Sequence, residues 1–213
     1  VINTIGIIDD LIEKYEEMLL KFREILILNF KKINENKKNK IKNLFKILNG
    51  FSFNSKHYVK KSDFNLLTIK NIGNICIKDD LVQKINNFNV DSKYLLNIGD
   101  IVLSRTGEVI KFCIVDKNNY YLNQRVSKID TNYKAFVFAL LNVYQKEITN
   151  LAKGSVKLNL SLEDLKNFEV SYSLESLKKY ELNNSFLYKQ IVYIIQKINK
   201  LKLIKQDLLK KYF

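Results

Sequence analysis

The sequence predicts an α+β fold, in which a mixed domain built on a curved sheet sits between two long helices of coiled-coil type. Apolar residues recur in steps of three and four near both ends of the chain, and short β-branched runs separated by turn residues fill the middle. A length of 213 residues suffices for one sizeable core with appended elements.

The first helix is read from Ile8, Leu11, Tyr15, Met18, Phe22 and Ile25, whose alternating spacing makes a seam on a helix over residues 1–33. The Lys- and Asn-rich run Asn34 to Asn43 marks a hinge into a domain spanning residues 34–177. Within it, strands are expected at Asn65 to Ile69, Ile75 to Ile77, Asp100 to Ser104, Ile110 to Val115 and Arg125 to Ile129. Helices are expected at Tyr133 to Gln145 and Leu162 to Asn167. Over residues 178–213, Ile191, Ile194, Ile198, Leu201 and Leu208 repeat the first ladder at a constant offset that sets Phe30 on Phe213, broken only where Lys205 stands at a seam position. Residues 1–33 carry five basic and six acidic groups, residues 178–213 nine basic and two acidic. This contrast favours pairing of the two helices with each other or with equivalent helices of another copy.

The balance of 36 Lys and Arg against 22 Asp and Glu, a net charge of +14, suits a polyanionic partner, nucleic acid or an anionic membrane surface. A membrane span needs about 18 apolar residues in a row, and the longest apolar stretch, Ala135 to Leu141, falls far short. Cys76 and Cys113 lie inside apolar runs, as reduced structural cysteines do, and no secretory pattern is present. A cytoplasmic protein is expected.

Several chemistries are excluded by missing residues. The chain has no proline, so it cannot form the Asn/Asp-Pro-Pro-aromatic loop with which amino-methyltransferases hold a target base. No glycine is followed by Lys and then Ser or Thr, so there is no Walker A phosphate cradle. One histidine, His57, and two separated cysteines cannot build a His/Cys zinc site or a Ser-His-Asp triad with a spare base. Asp164-Leu165-Lys166 has the acid-x-Lys spacing of metal-dependent nucleases, but Ser161-Leu162-Glu163-Asp164 reads better as a capped helix start. No metal site and no catalytic residue is expected.

Four segments of the middle domain resemble the target recognition domain of type I restriction-modification specificity (S) subunits, and they occur in that family's order. They are Asn49-Gly50-Phe51-Ser52-Phe53-Asn54-Ser55, Ile98-Gly99-Asp100-Ile101-Val102-Leu103-Ser104-Arg105-Thr106-Gly107, Leu122-Asn123-Gln124-Arg125-Val126, and Ala152-Lys153-Gly154-Ser155-Val156-Lys157-Leu158-Asn159-Leu160-Ser161. The resemblance implies that the flanking helices are conserved spacers pairing antiparallel. The sequence departs from the family in placing a helix first, in carrying one recognition domain where the full subunit has two, and in lacking a proline motif before the last helix, where Val170 to Leu174 stands.

Only three arginines occur among the basic residues, and Arg105 and Arg125 both fall in these segments. A planar bidentate donor suits guanine O6 and N7, and Asn or Gln suits adenine, so Arg105, Arg125, Asn123 and Gln124 are candidate base readers. The competing role for each arginine is to tie a loop to a carboxylate such as Asp100, and for Asn123 and Gln124 to hold backbone. Lys56, Lys60, Lys61, Ser104, Thr106, Lys153, Ser155 and Lys157 are candidate phosphate contacts, and His57 is a loop residue or a further DNA contact.

The resemblance implies a non-catalytic, sequence-specific DNA-binding subunit that reads a half-site of a bipartite target and scaffolds methyltransferase and restriction subunits. S-adenosylmethionine, ATP and magnesium would belong to those partners. Two chains pairing as a homodimer, or one chain forming half of a longer polypeptide, would supply the second half-site. A seam from Ile8 to Phe30 is about 35 Å long, close to one turn of B-DNA. The rival readings are the recognition segment of a fused restriction-methylation enzyme and a basic coiled-coil adaptor for RNA or membrane.

Overall fold

The structure, a computed structural model, describes residues 2–78, 82–86, 90–154 and 157–212. Helix α1 (Ile2–Lys31) and the longest element, α5 (Leu174–Tyr212), lie antiparallel against each other. Lys205 Nζ is 2.6 Å from an oxygen of Asp9 and Lys202 Nζ is 2.8 Å from Glu16, so the start of α1 meets the end of α5. Towards the domain, Tyr180 donates its hydroxyl to the Leu26 carbonyl at 2.7 Å, and Asn29 donates to Asn184 Oδ1 at 2.8 Å. The two helices thus pair within one chain. Lys205, which interrupts the apolar ladder, is matched by an aspartate across the seam.

The seam of α1 is formed by buried Ile8, Ile12, Leu19, Leu26 and Phe30, with Tyr15 and Phe22 half-buried. This corrects its expected phase. Leu11 and Ile25 are 39% and 40% exposed and Met18 is only partly covered. The helix is apolar at both members of the pairs 11/12, 18/19 and 25/26, so spacing alone permits either of two adjacent stripes. A third helix, α2 (Lys134–Val143), decides between them. It packs against α1 and α5 together, where Phe30 meets Phe136 at 5.1 Å and Tyr180 at 6.0 Å between ring centroids.

On α5, Ile191, Ile194 and Ile198 are buried, joined by Ile195, while Leu201 and Leu208 are partly covered. The helix begins ahead of its expected start at residue 178 because Ser173 and Ser176 cap it reciprocally. Ser176 N donates to Ser173 Oγ at 3.1 Å and Ser173 N donates to Ser176 Oγ at 2.9 Å. Phe213, the expected mate of Phe30 in the repeat, lies outside the described residues.

The hinge is more ordered than its composition suggests. Strand β1 (Lys38–Lys40) pairs antiparallel with β12 (Glu169–Ser171), so one short ladder joins the roots of α1 and α5. The other strands are β2 (Lys46–Asn49), β3 (Tyr58–Val59), β4 (Asn65–Leu67), β5 (Gln83–Ile85), β6 (Ile101–Ser104) and β7 (Thr106–Gly107). They continue with β8 (Phe112–Ile114), β9 (Tyr120–Leu122), β10 (Val126–Asp130) and β11 (Leu158–Asn159). An antiparallel sheet has the order β2-β10-β6-β8, and a mixed sheet, β3-β5-β4-β9, contains one parallel pair, β4 with β9. Of the expected strands, Ile75 to Ile77 forms only single bridges, from Ile77 to Ile72 and from Cys76 to Ile114.

The layers follow from the two-residue period of strands. Ile101, Leu103, Phe112, Ile114 and Ile129 point to the helices, and Val102, Cys113 and Val126 point to the second sheet. In that second sheet Tyr120 and Leu122 face back, while Leu66, Ile85 and Tyr121 face outward into a cluster with Phe53. The first sheet is covered on both faces, which is why β6 reads as an unbroken apolar run. Helix α2 is buried all round from Ala135 to Leu141 because it lies between this sheet and the helix pair. Its expected extension to Gln145 is interrupted at Tyr144, after which α3 (Gln145–Asn150) begins. Helix α4 (Leu162–Asn167) has its expected limits, with Ser161 Oγ accepting from Asp164 N at 3.3 Å, so Asp164 serves a helix start.

Leu26→Ala should lower stability by about 2–5 kcal/mol, the cost of a core cavity. Leu11→Ala should change it by less than about 0.5 kcal/mol. Equal effects in urea denaturation would show that the seam has the other phase.

Candidate nucleic-acid interface

The four segments picked out in the sequence converge at one end of the first sheet. The first reaches the third through Gly50, whose N–H donates to Val126 O at 3.0 Å. A Cβ on Gly50 would overlap the Asn123 carbonyl, so only glycine fits there. Phe51 N then donates to Leu122 O at 2.9 Å, and Gln124 N donates to Phe51 O at 2.8 Å. The second segment joins the third where Arg105 N donates to Arg125 O at 2.8 Å, and the fourth joins the second where Leu160 N donates to Arg105 O at 2.8 Å. Strand β11 continues this contact by pairing with β7, Asn159 opposite Thr106 and Leu158 opposite Gly107.

Asn123 to Val126 form a tight turn closed by Val126 N donating to Asn123 O at 3.2 Å. Arg125 has φ +66°, a left-handed conformation unusual for a residue with a side chain, and it is exposed with Gln124 at the tip. Asn123 is partly buried, and its Oδ1 accepts the Gln124 N–H at 2.8 Å, so this side chain shapes the turn. Arg105 is partly buried, and its Nε and the Thr106 hydroxyl have no hydrogen-bond partner among the described residues. Burial, and then the neighbouring Arg125, hold the Arg105 guanidinium below its usual pKa. Among the described residues, no ion pair joins either arginine to a carboxylate.

Asp100, the carboxylate considered as an arginine partner, instead meets Lys128 Nζ at 2.8 Å and Lys134 Nζ at 3.4 Å. Strand β6 separates it from Arg105, and four residues at about 3.3 Å each put the two beyond reach. The Asp100 end of the sheet holds the helices: Tyr188 donates its hydroxyl to Gly99 O at 3.0 Å, and both oxygens of Glu181 accept from the first amides of α2. Burial raises the pKa of Glu181 against those two hydrogen bonds.

Ser104 is corrected as a phosphate contact. It is buried, and its Oγ is engaged by the N–H and C=O of Lys111 across a sheet edge. Lys153 and Lys157 are exposed around Gly154, whose φ of +141° and close approach to Lys157 O require glycine. Ser155, between them, lies outside the described residues. Lys56, Lys60 and Lys61 are exposed and His57 is partly buried, all on or beside β3. This strand is three steps across the second sheet from β9, roughly 14 Å from where the Asn123 turn begins. Sequence reasoning missed Phe51, 39% exposed beside that turn. Its signal was an aromatic following a glycine that has to lie flat on another strand.

Residues 33–173 match the family described as Type I restriction modification DNA specificity domain. The solved S subunit of the type I restriction-modification system from M. genitalium is similar in fold, with a TM-score of 0.64 and 15% identity over 99% of this chain and 59% of that one. The HsdS subunit from Thermoanaerobacter tengcongensis gives a TM-score of 0.52 and 11% identity over 98% of this chain and 55% of its own. A chain from a structure of type I R-M complex assembly and conformational transition gives 0.54 and 10%, over 99% and 57%. No curated protein matches. The chain therefore spans a little over half the length of these solved subunits. The mixed α+β region is held on an antiparallel helix pair, and the chain belongs to the type I restriction-modification DNA specificity family.

Proposed function

We propose that this chain reads one half-site of a bipartite DNA target and makes or breaks no bond itself. The observation that carries the reading is the Arg105–Arg125 pair. The two residues are joined by a backbone hydrogen bond, and the Arg105 guanidinium is partly desolvated and feels the charge of Arg125, with no acidic partner among the described residues. Such an arrangement costs stability in the free protein and is relieved by a negatively charged or acceptor-rich ligand. The left-handed Arg125 is a second local cost at the same spot, as is common where a binding site sets the geometry. Arg125 and Gln124 project from the turn as base readers, Arg105 and Thr106 lie behind them, and Lys153 and Lys157 flank them as phosphate contacts.

The helix pair supplies the scaffold. Because α1 and α5 run antiparallel, residues 2 and 212 lie at the same tip, away from the β1–β12 ladder. The second half-site belongs to a second recognition domain, in another copy of the chain or in the same polypeptide, spaced by this rod. Methyltransferase and restriction subunits would assemble on it in the cytoplasm and bring S-adenosylmethionine, ATP and magnesium. No helix among the described residues is long and apolar enough to cross a membrane.

Selection of duplexes from a random pool should return one preferred sequence, and the chain mixed with S-adenosylmethionine and that duplex should transfer no methyl group. A pool that shows no enrichment defeats the proposal. Arg105→Ala or Arg125→Ala should cost roughly 1–3 kcal/mol on the preferred duplex and relax one base choice, whereas Lys153→Ala should weaken all sequences alike and flatten the salt dependence. Arg125→Gly separates function from folding. Releasing the left-handed strain should raise stability by about 0.5–1 kcal/mol while DNA affinity falls. A loss of both would mean that Arg125 is structural.

A further inference from the structure

We propose that Phe51 is a specificity residue that reads the C5-methyl group of a thymine in the major groove. This rests on the reading of the chain as a DNA specificity domain. Phe51 is 39% exposed, although its motif neighbour Phe53 is buried in the outer cluster. Its position is fixed from both sides. Its N–H and C=O are bonded to Leu122 and Gln124, and Gly50 before it lies against the Asn123 carbonyl. The ring packs edge-on against Phe53, with centroids 5.1 Å apart and planes at 80°, and leans on Tyr94 at 5.4 Å. Tyr94 in turn has Lys93 Nζ 5.0 Å from its ring centre, and Lys93 is held by Asp91 at 2.8 Å.

A rigid apolar surface therefore sits beside the exposed Gln124 and Arg125 side chains. Hydrogen-bonding groups of that kind match adenine and guanine edges. In the major groove the one apolar group on a base edge is the thymine methyl. The braced, partly covered ring offers a flat surface suited to a methyl contact. A side chain that wedges into a base step has to project freely, as this one does not.

The test uses the full chain and its selected duplex, with each thymine replaced in turn by deoxyuridine, which removes only the methyl. Binding should weaken at one position by about fourfold, the worth of one buried methyl-sized group. Phe51→Ala should bind the thymine and uracil forms alike, and Arg125→Ala should keep the difference. In a measurement that needs no variant, 5-iodouracil at that position should photo-crosslink to Phe51, read by mass spectrometry of the peptide. Specific binding with no methyl-sensitive position, a methyl effect that survives Phe51→Ala, or a crosslink to another residue overturns the assignment of Phe51 alone. Failure to select any sequence overturns the DNA reading beneath it.

Discussion

The rest of the structure depends on the burial of Phe30 where α1, α2 and α5 meet. Its ring touches Phe136, Tyr144 and Tyr180, and Tyr180 is also hydrogen-bonded to the backbone of α1 at Leu26. Removing that side chain would open a cavity shared by three helices, at a cost on the order of 3–5 kcal/mol. The same junction sets which stripe of α1 faces inward and fixes α2, on which the first sheet rests. The ion pairs farther along the rod are half-exposed and contribute little by comparison. Their effect lies in orientation, since acidic α1 against basic α5 disfavours other pairings. Asn184, buried in the seam with Asn29 as its partner, adds a polar pin whose misalignment would leave a buried amide unsatisfied.

The first sheet separates two tasks along its strands. At one end Gly99 and Asp100 are locked to α5 and to two lysines; at the other end β6 and β10 run out into the arginine-bearing turns. The Asp100 carboxylate at the helix end is paired with two lysines, whereas the far end keeps a strained Arg125 and, among the described residues, no hydrogen-bond partner for Arg105 Nε or the Thr106 hydroxyl. A left-handed residue directly beside two unsatisfied polar groups is consistent with a surface shaped for a ligand.

The sequence by itself determined the α+β class, both long helices, the limits of α4 and most of the first sheet, because each rests on a local period or a local turn requirement, and family resemblance picked out the four segments that meet at one end of that sheet. Their joining was not legible, since Gly50 meeting Asn123 and Arg105 meeting Leu160 are contacts between distant parts of the chain. Short strands such as β1 and β12 were also hidden, because polar residues in a two-stranded ladder leave no alternation to read. Only the tertiary structure decided that Leu26 and not Ile25 is buried, that Ser104 faces inward and that Phe51 faces outward. Periodicity fixes the spacing of an apolar stripe, but which of two adjacent stripes is covered depends on what packs against it, and that is set by the whole fold.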